Sequence, residues 1–462
     1  MRSENKKEEA LVSKTTELSF LEKITAVRPS ERQITWQEME FYGFIHYGIN
    51  QFTNQEWGSG QEDPQIFNPR KLDTDQWCKS LVKAGMTGVI VTAKHHDGFC
   101  LWDTLTTDHS VMHSPYGKDI VAQLSRSCKK FGLKLGIYLS PWDRHESCYG
   151  QGDAYNNFFC NQLLELLQGY GELFCLWFDG ACGEGQNGKV QQYDWERYYA
   201  LIRQYQPNAV IAVCGPDVRW CGNEGGHCRD SEWSVVPASM ADNEKIQHSS
   251  QKADNAEFRQ RIPSDGEDLG SRQVLINHEE FIWYPAEINT SIRPGWFYHE
   301  EEDSRLRSLA NLQAIYLQSV GGNATFLLNV PPHWDGYIAC GDVALLEGLG
   351  NWIKTTFSRN LLSNATYKES TNESDSPIIV AEMENEVIPN YLLLQEEIAL
   401  GQRIEEFTLS YWKDSNWSIA CQGTVVGYKC IRSIEANISA SKWKLEITSS
   451  RLGANLKTFA LY

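Results

Sequence analysis

The sequence predicts an α/β protein, an irregular (β/α)8 barrel carrying a C-terminal all-β sandwich. Short apolar, β-rich runs alternate with amphipathic helical segments through the first three quarters of the chain, the pattern of a parallel sheet wrapped in helices. No G-x-G-x-x-G loop follows any of these runs, which disfavours an open nucleotide-binding sheet. Beyond residue 355 the helical periodicity gives way to stretches that alternate polar and apolar residues, the signature of half-buried antiparallel strands.

The runs FYGFIHYGI (41–49), TGVIVTA (87–93), LKLGIYLS (133–140), ELFCLWF (172–178), AVIAVC (209–214) and ATFLLNV (324–330) are bounded by Gly, Pro, Asp or Asn and read as buried parallel strands. Between them, Asp73 caps a helix that carries Trp77, Leu81 and Ala84 on one face and stops at Gly85. Ile120, Leu124 and Phe131 mark the next, closed by Gly132. Residues 154–168 and 195–205 are helical, the second opened by Asp194 and stopped before Pro207, and Leu306, Leu309, Leu312 and Tyr316 mark one more ahead of the last strand. The stretch 238–280 is polar and aperiodic and reads as a long loop or insertion. SRNLLSNATYKESTNESDSP (358–377) reads as a linker or irregular crossover, with EFTLSYW (406–412) and KWKLEIT (442–448) as sandwich strands. The expected organisation is an N-terminal extension (1–24), a barrel (25–355) and a sandwich (356–462).

At 462 residues the chain can build one catalytic-sized domain and a smaller companion. Its 60 acidic residues outnumber 42 Lys and Arg, and the net charge of −18 disfavours nucleic acid and membrane partners and favours a neutral or cationic ligand. No window suits a membrane-spanning helix, and the N-terminus lacks the apolar core of a signal peptide. The expectation is a soluble, cytoplasmic chain, periplasmic or secreted only if an export signal has been trimmed from it. The 13 cysteines contain no Cys-x-x-Cys pair and read as reduced thiols, and Cys214, Cys221, His227 and Cys228 lack the spacing of a compact zinc site. Asn-x-Ser/Thr matches, at Asn323 and Asn416 for instance, matter only in a secreted protein. The 16 Trp and 20 Tyr offer flat apolar faces with polar edges, suited to sugars, although large α/β domains also bury many aromatics.

Barrel enzymes carry their catalytic groups at the C-terminal ends of strands, so polar residues directly after the apolar runs are the candidates. The first run leads into His46, with Glu56 and Trp57 soon after, and the second into Lys94-His95-His96-Asp97. The third reaches Tyr138 and then Trp142-Asp143, and the fourth delivers Asp179 from Leu176-Trp177-Phe178 into Gly180. An aspartate between bulky apolar residues and a glycine turn is partly desolvated and can act as nucleophile or general base, while a turn or capping role is the alternative for such a residue taken alone. Glycosidic chemistry needs a second carboxylate, and Glu224, after the fifth run, lies on the neighbouring loop. A gap of about 5 to 5.5 Å would give retention and a wider one inversion. Glu56, Glu184, Glu232 and Glu287 compete for that role. His95 and His96 can share one pocket if the chain turns at the strand end; neutral imidazole suits sugar hydroxyls, and a metal reading lacks further ligands at familiar spacing.

FIHYGINQF with Glu56-Trp57, AKHHDGFCLW, GIYLSPWD, LWFDGA, RWCGNEGG, SIRPGWFYH and NATFLLNVPP, in this order between about residue 25 and 335, resemble the motif set of the α-L-fucosidases of glycoside hydrolase family 29. The resemblance implies a retaining enzyme on an irregular (β/α)8 barrel with a C-terminal β-sandwich, needing no metal or organic cofactor. It implies Asp179 as nucleophile and His46, Glu56, Trp57, His95, His96 and Tyr138 as groups that hold the fucose hydroxyls and ring. Glu224 matches the W-x-G-N-E context of the acid/base in the subgroup that cleaves α-1,3 and α-1,4 fucose from Lewis-type glycans. SIRPGWFYH is similar to the same subgroup, with Trp296 a wall against the fucose methyl or the leaving sugar. Asn289 departs from the acidic residue expected two positions before Ser-Ile-Arg. LLLQEEIALGQRIEEFTLSYW (392–412) resembles a galactose-binding-like sandwich that packs on the barrel. The implied partners are fucosylated oligosaccharides. A broad-specificity fucosidase, a galactosidase, a silent fucose-binding protein and a metal-dependent hydrolase on His95 and His96 are the other readings.

Overall fold

In the computed structural model, which describes residues 17–255, 257, 268–372 and 376–462, all six apolar runs are parallel strands. They form β1 (Phe41–Ile45), β2 (Gly88–Lys94), β3 (Lys134–Leu139), β4 (Leu173–Phe178), β5 (Val210–Val213) and β10 (Ala324–Asn329). Two strands that the apolar pattern does not announce complete the sheet, β6 (Arg219–Trp220) and β9 (Ala286–Ser291). A small antiparallel pair, β7 (Val235–Pro237) and β8 (Phe281–Trp283), lies between them in sequence. The spatial order is β5-β4-β3-β2-β1-β10-β9-β6, and the two ends of the sheet meet at a parallel bridge between Ala212 and Val218. No helix crosses from β5 to β6. The chain turns at Val213, whose φ of +65° is unusual for a β-branched residue, and Tyr284 holds the turn by donating to the Gly215 carbonyl at 2.8 Å.

The strands are buried on both faces, and their two-residue period sorts their side chains into two layers. Phe41, Ile45, Val89, Val91, Leu135, Ile137, Phe326 and Leu328 pack with helix residues such as Trp77, Leu81, Leu124 and Leu163. Tyr42, Phe44, Ile90, Tyr138, Trp177, Ala212 and Leu327 fill the barrel itself. Five helices fall close to expectation, α2 (Thr74–Lys83), α3 (Ile120–Phe131), α4 (Asp153–Gly169), α5 (Trp195–Tyr205) and α7 (Leu309–Ser319), while α1 (Glu31–Gln37), α6 (Asn243–Ser249) and α8 (Cys340–Thr356) are not expected from the sequence. Asp73 and Asp194 cap α2 and α5 as the sequence predicts, and Gly132 closes α3 at φ +75°. The stretch 238–280 is not all loop, since it holds α6 and a helical turn at Arg272–Leu275; residues 256 and 258–267 lie outside the described residues.

The C-terminal strands are β11 (Thr366–Thr371), β12 (Pro377–Val387), β13 (Tyr391–Glu396), β14 (Ile404–Lys413), β15 (Asn416–Thr424), β16 (Cys430–Ser433), β17 (Ala440–Ser450) and β18 (Leu456–Leu461). They form antiparallel sheets of order β11-β12-β17-β14-β15 and β16-β13-β18, which share one apolar core around Trp443, Phe407, Leu392 and Leu461. The segment 358–377 is therefore not a plain linker: β11 pairs with β12, while residues 373–375 lie outside the described residues. All of β11 is exposed, so no apolar alternation could mark it, and its backbone pairing alone makes it a strand. Among the described residues no helix is long and apolar enough to cross a membrane, and all 13 cysteines are unpaired.

Asn323 joins the two parts. Its buried amide donates to the Glu232 carbonyl at 2.8 Å and to Ser234 at 3.2 Å, and its oxygen accepts from the Tyr428 backbone at 2.7 Å. A glycan cannot attach to so enclosed a side chain, and only glycine fits at 427, where a Cβ would overlap the Asn323 amide. Asn323→Ala should cost about 2 to 3 kcal/mol, because it leaves buried polar groups unpaired; urea denaturation measures this, and an unchanged midpoint would remove Asn323 from its structural role.

Candidate active site

The row of side chains that fills the barrel continues past the strand ends into polar residues. Tyr42 and Phe44 are followed two positions on by His46, Trp177 by Asp179, Leu327 by Asn329, and Glu287 on β9 by Asn289 and Ser291. Alternation thus brings His46 and Asp179 to the C-terminal mouth, where a pocket of about 600 Å³ opens. It is lined by Trp57, His95, His96, Trp177, Trp220, Glu224, Asn289 and Trp296 as well as His46 and Asp179.

Asp179 accepts from Tyr138 Oη at 2.9 Å and from the Ala181 backbone at 2.8 Å, and its other close neighbour is His96 Nε2 at 3.8 Å. Burial pushes its carboxyl above the ordinary range, and the N–H groups of Ala181 and Gly180 and the Tyr138 hydroxyl offset part of that rise. Gly180 lets Ser250 approach closely beside it: a Cβ at 180 would meet the Ser250 hydroxyl and force it to turn away. Glu224 accepts from Trp296 Nε1 at 3.1 Å, and its backbone carbonyl accepts from Thr290 at 2.7 Å.

The chain does turn after β2, and both His95 and His96 face the pocket, with ring centroids 4.1 Å apart. His96 Nδ1 bonds Ser140 at 2.7 Å, whereas buried His95 Nδ1 has no hydrogen-bond partner among the described residues. His46 Nδ1 bonds Asn329 Oδ1 at 2.9 Å. Burial lowers all three imidazoles, His46 to about 4 and His95 and His96 well below the ordinary imidazole range, with the Arg144 charge adding to the effect on the pair. They are neutral at physiological pH, each with a donor and an acceptor. Lys94 and Asp143 form a buried ion pair at 2.8 Å that ties the ends of β2 and β3 together. Among the described residues no three His, Cys, Asp or Glu side chains gather as a metal site.

Two residues expected at the sugar stand behind the lining. Tyr138 reaches the site through Asp179. The Glu56 carboxylate accepts from the Trp296 backbone and, at 3.3 Å, from that of Phe297, and pairs with His299 at 3.0 Å; it braces the segment that carries Trp296. Of the competing acids, Glu232 is consumed by Arg219 and Arg229. Glu287 is buried inside the barrel, where it accepts from Tyr42 and from Trp177 Nε1 at 2.7 Å, and burial raises its carboxyl to about 7. Glu184 lines a neighbouring surface pocket. Asn289 accepts from Trp220 Nε1 at 2.8 Å and so orients that indole. Sequence reasoning missed Asn329, Ser140, Ser250 and Gln251; the first lies in the quoted NATFLLNVPP motif, two positions past Leu327, and the last two come from the stretch read as loop.

Tyr138→Phe removes a donor that favours the ionised carboxylate, so the carbon-13 signal of the Asp179 carboxyl should titrate at higher pH than in the native chain. An unchanged or lower midpoint would mean that Tyr138 does not set the charge on Asp179.

The α-L-fucosidase family model matches residues 24–356. The chain is 36% identical to α-L-fucosidase 1 of Arabidopsis thaliana over 94% of its own length and 87% of that protein's. It is also similar to a crystal structure of a Bacteroides ovatus protein assigned as an α-L-fucosidase, with 42% identity, a TM-score of 0.86 and coverage of 96% of this chain and 76% of that one. A glycoside hydrolase family 29 fucosidase of Ruminococcus gnavus, solved in complex with fucose, is 27% identical with a TM-score of 0.79, over 94% of this chain and 95% of that one. With its barrel, its sandwich and this match, the chain belongs to the α-L-fucosidases of glycoside hydrolase family 29 and is a glycoside hydrolase.

Proposed function

We propose that the chain is a retaining exo-α-L-fucosidase that releases L-fucose from α-1,3- and α-1,4-fucosylated, Lewis-type oligosaccharides. The observation that carries the reading is that Asp179 and Glu224 line one pocket with three neutral imidazoles and four indoles. Asp179 attacks the anomeric carbon as the glycosidic bond breaks, and Glu224 gives its proton to the departing oxygen. Glu224, now a base, takes a proton from water, whose oxygen displaces Asp179 and frees fucose. His46, His95 and His96 exchange hydrogen bonds with the sugar hydroxyls. Trp57, Trp177, Trp220 and Trp296 cover its apolar C–H edges and methyl group. Tyr138 and Glu56 act at one remove, Tyr138 on the Asp179 carboxylate and Glu56 on the Trp296 segment. The linkage rests on Glu224 in Trp220-Cys221-Gly222-Asn223-Glu224 and on the segment Ser291–His299.

The same reading assigns catalysis to residues 25–355 and a supporting role to the sandwich, 356–462. The extent of the family match and the separate apolar core of the sandwich favour it. The substrates are fucosylated glycans, in keeping with the fucose bound by the Ruminococcus gnavus relative.

Asp179→Asn should lose roughly 10³-fold or more in turnover, with azide restoring part of it as a β-fucosyl azide. Near-normal activity in that variant would overturn the nucleophile assignment. On the native chain, free fucose should appear rapidly from a Lewis-type trisaccharide and slowly from an α-1,2-fucosylated lactose. Equal rates would discard the linkage claim, and no release from either would favour a binding protein.

A further inference from the structure

A second pocket, of about 570 Å³, adjoins the first and shares Glu224 and Trp296 with it. In a chain of net charge −18 it is lined by three arginines, Arg293, Arg305 and Arg307. They are not equivalent. Arg293 is neutralised by Asp342 at 2.6 Å and Asp303 at 2.9 Å. Exposed Arg305 has a loose pairing with Glu302 at 3.6 Å. Arg307 is part-buried, and its partners are uncharged: the Ser291 carbonyl and Thr290 Oγ1 at 2.7 Å, Asn311 Oδ1 at 2.8 Å and the Gly225 carbonyl at 3.5 Å. No ion pair neutralises it among the described residues, and burial pulls its pKa down. A part-buried cation without a counter-ion is costly, and an arriving anion relieves that cost.

The position of Arg307 says where such an anion would sit. Thr290 accepts from Arg307 and donates to the backbone carbonyl of Glu224, so the guanidinium is one side chain removed from the group read as the acid. The positive end of α7, capped by Ser308, starts beside it. The second pocket shares Glu224 but not Asp179 with the first, and with Glu224 as the acid this is the side of the departing sugar.

We propose that Arg307, with Arg305, receives an anionic substituent, a sulfate ester or a sugar carboxylate, on the oligosaccharide from which fucose is released. The proposal rests on the reading of Glu224 as the acid. Arg307 commits its Nε–H, one Nη1–H and its Nη2 to protein oxygens, so it offers the anion its remaining Nη1–H and its charge, while the planar fork of exposed Arg305 can pair two N–H groups with two oxygens of either anion. Anchoring the departing sugar there presents its bridging oxygen to Glu224. The composition, which favours a neutral or cationic ligand, is reversed locally at this pocket.

The test compares kcat/KM of the native chain on three matched Lewis-type trisaccharides: neutral, sulfated at C6 of N-acetylglucosamine, and bearing sialic acid on galactose. At low salt one or both anionic substrates should be preferred by about fivefold, and high salt should erase the preference. Which arm responds identifies the anion. The ratio of anionic to neutral rates should shrink in Arg305→Gln and vanish in Arg307→Gln. Being a ratio, it is insensitive to any general disturbance of Glu224. A ratio of one in the native chain, or one that survives both substitutions, would overturn the proposal and leave the fucosidase reading standing. If no trisaccharide is cleaved, that reading fails, and calorimetry with the sulfated and neutral disaccharides alone decides the arginine pocket. Tighter binding of the sulfated form, lost in Arg307→Gln, would support it, and equal binding would overturn it.

Discussion

The carboxamide of Asn329, at the end of β10, is bonded to three separate parts of the barrel mouth. Its oxygen holds His46 at the end of β1, and its nitrogen donates to Ser291 at the end of β9 at 3.0 Å and to the Trp296 carbonyl at 2.7 Å. Trp296 in turn donates to Glu224, and its backbone is braced by Glu56. One buried amide therefore couples an imidazole, a strand end and the indole that orients a carboxylate. Each bond contributes about 1 kcal/mol, yet a missing partner would leave several buried polar groups unpaired at once.

Burial also decides the charge states. An imidazole lowered to about 4 is protonated in roughly one molecule per 10³ at neutral pH, so the histidine cluster does not neutralise Asp179. The Asp179 carboxylate is instead balanced by the Ala181 N–H and the Tyr138 hydroxyl, which stabilise its charge without removing its lone pairs from the pocket. Beneath it, Glu287 fixes the Trp177 indole from inside the barrel, a structural use of a carboxylate that could pass for a catalytic one in sequence.

The parallel strands, their caps and most helices were legible because apolar runs and Asp or Gly stops are local signals, and Asp179 stood out because it follows three bulky residues. β9 was not legible: AEINTS is polar on the face that enters the barrel, so Glu287, Asn289 and Ser291 mask a strand with every residue buried. β6 is too short to carry a period, and β11 has no buried face to reveal it. In the site, Glu56 was legible as an important residue, but only tertiary contacts show that its carboxylate braces the Trp296 segment. Asn329 and Ser140 escaped notice because their bonds to His46 and His96 join residues far apart in sequence.

The account turns on Asp179 forming a bond to the sugar. The most direct measurement is to treat the native chain with a 2-deoxy-2-fluoro-fucosyl fluoride, which slows the second step, and to map the adduct by peptide mass spectrometry. The account predicts one fucosyl adduct, on the peptide that contains Asp179, formed as activity is lost. An adduct on Glu224 or another carboxylate, or release of inverted fucose with no adduct at all, would contradict it.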